Sequence, residues 1–243
     1  MLRYDNGITI WDDGPVYPYG TKQRVAVEFI AMKIAQTRCD EFVTFGTSFG
    51  MGSWAFLDAC IKNGVKGTVF LDGERIPQQI MSILNYNGFN WNHPLIKIHS
   101  FPLHTHGISN IALDYTSESP LRCFINSGFH EPEYQRLLYN NIMNDPLLKN
   151  VNPSRVWVPV GSGTLASVLK HVFPQSVIIG VIPTGSRNHP ACHYLDICFY
   201  SEEPFENEAI YPPPYESTSH YDAKLWVYIL QYGQNGDLIW NVK

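Results

Sequence analysis

The chain has 243 residues, 44% hydrophobic and 16% charged, which supplies a sizeable core and describes an ordinary globular chain of one compact unit or two small lobes. Its net charge of −5 excludes the basic field that drives non-specific nucleic-acid binding. Five cysteines without CxxC spacing argue against a secreted disulfide framework and for a reducing cytoplasm, and no apolar run reaches the roughly 18 residues of a membrane span.

Met1-Leu2-Arg3-Tyr4-Asp5 is not followed by the apolar core of a signal peptide, so a mature start is expected. Tyr19-Gly20-Thr21-Lys22-Gln23-Arg24 is a glycine turn that runs into a helical pattern over 25–36. A short buried strand is expected at 42–45. The loop Gly46-Thr47-Ser48-Phe49-Gly50-Met51-Gly52 follows it, and Trp54, Leu57 and Ile61 give the next helix an apolar face. Residues 67–71 read as a strand, 76–86 as a helix with Ile76, Ile80, Ile83 and Leu84 inward, and 95–98 as a third strand. A strand at 156–160 ends at Gly161-Ser162-Gly163-Thr164 and enters a helix at 165–172, with a further strand at 177–182. Segment 204–219, with Pro212-Pro213-Pro214, is the least regular and reads as an ordered surface crossing or lid. Short apolar strands alternating with helices predict an α/β architecture with a largely parallel sheet.

Three loops carry residue types suited to chemistry. A neutral, desolvated lysine in a tight pocket is a good carbonyl nucleophile, so Lys22 can hold an aldehyde cofactor as a Schiff base; the plain alternative is a solvated surface lysine. Gly161-Ser162-Gly163-Thr164 sits between strand and helix, where glycines let the backbone approach an anion and the helix start supplies free amides. It lacks both GxxxxGK[ST] and GxGxxG, so a phosphate or a structural turn is expected there, not a nucleoside triphosphate or dinucleotide. Asp222, in His220-Tyr221-Asp222-Ala223-Lys224, is by default a helix-start residue.

Gly46-Thr47-Ser48-Phe49-Gly50 fits G-x-S-x-G between a strand and a helix, which offers Ser48 as a hydrolase nucleophile. Only one clear strand precedes it, and no Asp and His pair is singled out by spacing. His104-Thr105-His106 and the stretch from His189 to Cys198, with Cys192 and His193 between, hold ligand types without a zinc spacing, so no metal is expected.

The order of the three loops resembles the tryptophan-synthase-β-like superfamily, the fold-type II pyridoxal-phosphate enzymes. The local likeness is to the aminocyclopropane-carboxylate deaminase and D-cysteine desulfhydrase branch, whose G-N-K-x-R segment is similar to Gly20-Thr21-Lys22-Gln23-Arg24. The resemblance implies two α/β lobes, each with a mostly parallel sheet: a smaller lobe over about 40–115, and a larger lobe from 1–39 plus 116–243. It implies pyridoxal 5'-phosphate as cofactor, with Lys22 as the Schiff-base lysine and Gly161, Ser162, Gly163 and Thr164 as the phosphate cup. Tyr221-Asp222-Ala223-Lys224 resembles the branch's Tyr-Glu-Gly-Lys, which sets Asp222 against the pyridine nitrogen and makes Tyr221 a catalytic donor. A cytoplasmic homodimer is implied as well.

One departure bears on substrate. Where members of the family grip the substrate carboxylate with Ser-Asn or Ser-Gly-Asn-Thr, this chain has Phe49-Gly50-Met51-Gly52-Ser53. Ser48, Gly50, Met51 and Ser53 are the substrate-binding candidates, with hydroxyls and backbone amides as the local donors. A carboxylate left ungripped favours decarboxylation, so a lyase is expected, by decarboxylation or by elimination and deamination, acting on an amino-acid amine. Short members of this superfamily occur in bacteriophage DNA hypermodification, where the amino acid is attached to a thymine base; Trp54, Trp91, Phe101 and Tyr115 are the aromatics that would stack on such a base, and Lys33, Arg122 and Arg187 belong to the cationic set that would meet DNA. The host cytoplasm is the location that origin implies. The readings from other classes are the Ser48 hydrolase and a catalytically inactive binding protein that keeps the fold.

Overall fold

The structure is a computed structural model that describes residues 2–5, 7–73, 75–102, 105–184 and 189–243. In chain order its elements are β1 (Leu2–Asp5), β2 (Ile8–Asp12), α1 (Gln23–Thr37), β3 (Glu41–Thr47), α2 (Gly52–Lys62), β4 (Lys66–Asp72), α3 (Gln78–Tyr86), β5 (Ile96–Phe101), α4 (Thr105–Ser117), β6 (Arg122–Phe124), α5 (Pro132–Met143), β7 (Arg155–Pro159), α6 (Thr164–Val172), β8 (Val177–Ile182), β9 (Ile197–Tyr200), α7 (Trp226–Tyr232) and β10 (Leu238–Asn241). They form two compact units, one of residues Lys22–Tyr134 and one of Met1–Thr21 with Gln135–Lys243. The α/β class with two sheets of mainly parallel strands is as the sequence predicts.

The Lys22–Tyr134 unit is a four-stranded parallel sheet in the order β5-β4-β3-β6. Strand periodicity sends alternate residues to opposite faces. Val43 and Phe70 pack with Ile108 and Ala112 of α4, while Gly67, on the other face, lets α2 come close: a Cβ there would lie 2.9 Å from Cys60 Cβ and 3.1 Å from Leu57. Glu41 ties the α4 face together, accepting hydrogen bonds from Thr68 Oγ1 (2.6 Å), Tyr115 Oη (2.8 Å) and Arg122 Nε (3.1 Å). Burial works against its charge, and these three donors prevail, holding its carboxyl below the ordinary value.

This unit is larger than the 40–115 lobe read from sequence, because α1 packs on α2 and β6 extends the sheet by pairing with β3. Helix α3 begins at Gln78, after Pro77, so Ile76 lies before it, and Ile80, Ile83 and Leu84 form the buried face.

The other unit has a six-stranded sheet, β1-β2-β10-β7-β8-β9, parallel except for the β1–β2 hairpin. One face packs Ile10, Trp157, Ile179, Val181 and Ile239 against Leu225 and Ile229. Segment 204–219 has no helix or strand and is pinned by Ala209 N–H to the Ser219 carbonyl (2.8 Å) and Lys224 Nζ to the Pro204 carbonyl (2.6 Å).

Two buried carboxylates organise the sheet's centre. Asp13 accepts from the indoles of Trp11 (2.9 Å) and Trp240 (3.1 Å) and from Thr21 Oγ1 (2.5 Å). Asp237, fully buried, accepts from Arg155 Nε (2.8 Å), Trp157 Nε1 (2.8 Å) and Gln234 N (2.9 Å), which sets where β10 starts beside β7. Asp237→Ala removes the ion pair of Arg155 and leaves the Trp157 indole without this acceptor and is expected to cost about 2–4 kcal/mol, measured as a lower urea midpoint at unchanged slope; a midpoint like that of the wild type would refute this role.

Candidate functional site

Lys22 is the residue immediately before α1. The turn that delivers it is fixed by Gly20, whose φ of +80° suits glycine and whose Cβ would sit 2.5 Å from the Val242 carbonyl oxygen. On its C-terminal side Tyr134 Oη donates to the Lys22 carbonyl at 2.6 Å. The lysine stem passes over the first residue of α2, Gly52, where a Cβ would lie 3.2 Å from Lys22 Cδ. Some solvent reaches the side chain, but its amine is desolvated, and burial lowers its pKa from 10.5 to about 8. An appreciable fraction is therefore neutral near physiological pH, the form that attacks carbonyls.

The β3–α2 loop lies in the same unit as Lys22. Ser48 is buried, its N–H donates to Asp72 Oδ1 (3.0 Å), and its Oγ has no hydrogen-bond partner. A hydrolase nucleophile requires a base on that oxygen, so the G-x-S-x-G reading gains no support. Gly50 N–H closes a turn onto the Thr47 carbonyl at 3.4 Å. Met51 stands at the N-cap of α2, where it supplies no side-chain cap, and Ser53 is buried in the first turn of the helix. The start of α2 thus presents backbone amides without a carboxylate or hydroxyl cap.

The remaining candidates belong to the other unit. The Gly161-Ser162-Gly163-Thr164 turn joins β7 to α6, with Gly163 at φ +83° as the N-cap. A Cβ on Gly161 would meet Tyr221 Oη at 2.9 Å, and one on Gly163 would meet Ala191 Cβ at 2.5 Å, so both positions require glycine. Ser162 Oγ and Thr164 Oγ1 hydrogen-bond each other at 2.9 Å. No acidic residue occupies the first turn of α6, and Lys170 and His171 lie in its last, a charge arrangement that leaves the amino end favourable to an anion.

Tyr221 and Asp222 sit at the start of a short helical turn, Asp222–Leu225. Tyr221 Oη donates to the Pro159 carbonyl at 3.4 Å, and burial first, then the adjacent Asp222 charge, raise its pKa, so it remains a protonated phenol. Asp222 Oδ1 accepts from the Thr218 N–H (2.9 Å) and hydroxyl. Its Oδ2 is buried without a partner. Desolvation is the main cause that raises this carboxyl from 3.8 to about 7; amide hydrogen bonds oppose the rise and the charge of Asp12 adds to it.

The structure thus places Gly161, Tyr221 and Asp222 together in one unit, and Lys22 with the Ser48, Gly50, Met51 and Ser53 loop in the other. Gly52, Tyr134 and Thr218 were not singled out from the sequence; their partners lie 30, 112 and 4 residues away, and only Thr218 is near enough in sequence to be suggested by an Asx-type pattern. The DNA-facing sets are differently employed. Trp54 is fully buried, Phe101 stacks on Phe70, Lys33 pairs with Glu131 (2.7 Å) and Arg122 with Glu41 (3.1 Å). His104 and Arg187 lie outside the described residues. Among the described residues no helix is long and apolar enough to cross a membrane, and no three His, Cys, Asp or Glu side chains gather as a metal site.

No family model matches the chain, and no curated protein matches it in sequence. Solved structures do match it in fold. An ACC deaminase homologue superposes with a TM-score of 0.74 at 12% identity, covering 96% of this chain and 82% of that one. The O-acetylserine-dependent cystathionine β-synthase of Helicobacter pylori gives 0.67 at 15% identity, covering 100% and 92%. The diaminopropionate ammonia lyase of Escherichia coli, in complex with an aminoacrylate-PLP azomethine reaction intermediate, gives 0.67 at 11% identity, covering 97% and 79%. The α/β fold of this chain is the fold of these proteins.

Proposed function

We propose that this protein is a pyridoxal-phosphate-dependent lyase acting on the amine-bearing carbon of an amino acid. The observation that carries the reading is Asp222 Oδ2, a buried carboxylate oxygen without a partner on a group held near neutrality. A pyridine ring N–H is the donor such an oxygen lacks, and it brings the positive charge that stabilises the carboxylate. Within its own unit the glycine cradle at 161–164 suits a phosphate, and the desolvated amine of Lys22 suits an aldehyde. The shared fold with an ACC deaminase homologue and an ammonia lyase solved with PLP supports the same reading.

Bound pyridoxal phosphate supplies an aldehyde that takes up the substrate amine and a ring that accepts electrons from the adjacent carbon. Lys22 Nζ would be the base that takes the proton from that carbon or returns it, a task suited to an amine whose pKa lies near 8. Asp222 would accept from the ring nitrogen and keep it protonated. The start of α6 and the amides of 161–164 would hold the phosphate. Tyr221, a protonated phenol, donates to the leaving group or orients it.

Elimination with release of ammonia is the reaction these roles support best. Decarboxylation is the second reading, favoured by Met51 in place of an amide side chain at the N-cap of α2. The same groups would serve an amino acid joined to a thymine base in phage DNA.

The decisive experiment loads the protein with pyridoxal phosphate, reduces it with borohydride and maps the modified peptide. A pyridoxyl group on Lys22 is expected, with none bound by Lys22→Ala and turnover of that variant down by about 10²- to 10⁴-fold. Modification spread over surface lysines would overturn the assignment. Free amino acids and amino-acid-bearing DNA are then offered in parallel, with ammonia and carbon dioxide as the separate readouts.

Asp222 generates a second expectation, for cofactor-free protein. Its folded-state carboxyl titrates at about 7 instead of 3.8, so between those values the folded chain holds more protons than the unfolded one, and stability falls as pH rises through the window. Subtracting the melting profile of Asp222→Asn from that of the wild type should isolate this downward slope between about pH 4 and 7. A flat difference would show that the carboxyl is not buried as described.

A further inference from the structure

Cys192 and Cys198 lie outside the groups assigned so far, and they face each other. Their sulfurs are 3.3 Å apart, and Tyr200 Oη is 3.5 Å from Cys192 Sγ. Both thiols are partly exposed, whereas Cys39 and Cys60 are buried. The juxtaposition is built by the fold. Cys198 and Tyr200 are two residues apart on β9 and so share a face of the sheet. Gly180, the β8 partner of Cys198, has no side chain on that face, and Leu195 takes the space, its Cδ1 2.3 Å from where a Cβ would be. That insertion seats the helical turn Pro190–Tyr194, and with it Cys192, over Cys198.

The other end of the turn abuts the glycine loop. Ala191, next to Cys192 in the chain, touches Gly163 so closely that a Cβ there would lie 2.5 Å from its own, and Tyr194 Cδ2 would be 3.5 Å away. Only Ala191 therefore separates Cys192 from the Gly163 contact along the chain.

We propose that Cys192 and Cys198 form a redox modification site: a low-molecular-weight disulfide of the glutathione class oxidises them to an intrachain disulfide, and closure displaces the wall behind Gly163. The effect on Gly163 rests on the phosphate-cup reading above; the disulfide itself does not. In the first exchange the Cys192 thiolate attacks one sulfur of the reagent, the reagent S–S bond breaks, and one small thiolate leaves. Cys198 then attacks the Cys192 sulfur and expels the second small thiolate. Two protein thiols and one small disulfide become one protein disulfide and two small thiols; two electrons pass to the reagent, and the two protein protons end on its thiols. Burial, the leading cause, pushes the Cys198 thiol up to about 11, which makes it slow against an external reagent and leaves it the resolving role, where the attack is intramolecular. Closing 3.3 Å to a bonded distance moves the sulfurs together by about 1.3 Å.

The test uses reduced full-length protein, oxidised glutathione, alkylation of remaining thiols and peptide mapping. The expected result is a Cys192–Cys198 cross-linked peptide that reductant removes, while Cys198→Ser stops with glutathione on Cys192. Recovery of both residues as alkylated thiols, or each with its own glutathione, overturns the site. For the coupling, the dissociation constant of pyridoxal phosphate is expected to rise at least threefold on oxidation, to recover with reductant, and to stay constant in Cys198→Ser. A cross-linked protein with unchanged affinity overturns the coupling. Failure of both forms to bind would instead overturn the cofactor reading, since the cross-link alone decides the thiol pair.

Discussion

The position of Lys22 depends on a buried carboxylate that is never expected to react. Asp13 gathers the indole N–H groups of Trp11 and Trp240 and the hydroxyl of Thr21, so that one charge joins β2, β10 and the residue preceding the lysine. A buried carboxylate is tolerable only when its oxygens are filled by donors, and here those donors are bulky rings that also fill the core. Thr21 is held twice more, through its N–H to the Val242 carbonyl (2.8 Å) and through its hydroxyl accepting from Trp240 (3.1 Å). With Tyr134 fixing the Lys22 carbonyl, the backbone on both sides of the lysine is set by hydrogen bonds, and only the side chain is left to move. A lysine on an ordinary surface turn would have neither restraint.

Set beside Asp13, Glu41 and Asp237, the carboxylate of Asp222 is anomalous. The first three each have three or more donors; Asp222 has donors on Oδ1 and none on Oδ2. Other buried polar atoms lack partners too, among them Trp54 Nε1 and His99 Nε2, but these sit in aromatic packing, with Trp54 edge-on to Phe89 and Trp91 and His99 stacked on Phe70, and neither must carry charge. An acid in that state costs the folded protein stability as soon as it ionises. That cost sets Asp222 apart from Ser48, whose unpartnered hydroxyl carries no charge.

Much of this was readable before any coordinates. Strands β7 and β8 are nearly continuous apolar runs and β3 and β4 carry shorter ones, the pattern of strands covered on both faces, and these runs locate the loops that follow them. The hairpin β1–β2 and strand β10 were not legible: they are four or five residues long, and Trp11, Asp12, Trp240 and Asn241 mix apolar and polar groups because they serve the Asp13 network and its neighbours. The packing of α1 is hard to read from sequence for a related reason. Its helical pattern is plain, but the sequence does not reveal that it packs on α2 in the Lys22–Tyr134 unit. Lys22 and Asp222 were legible only as residue types at the mouths of turns. Their surroundings include Gly52 beside the lysine stem and Tyr134 on the Lys22 carbonyl, which no local spacing connects to Lys22, and Thr218 on Asp222, four residues away.

The same physical term prepares both groups. Desolvation penalises the charged form of any titratable side chain, so it lowers the lysine to about 8 and raises the aspartate to about 7. A base and an acid that would be more than six units apart in water are thereby brought within about one. Each can then exist in either protonation state near neutral pH. No additional charged neighbour is needed for the lysine, whose shift has burial as its sole cause. The lysine stem lies against Gly52 at the start of α2, where a Cβ would sit 3.2 Å from Lys22 Cδ, so a side chain placed there would crowd the lysine without touching the amine itself.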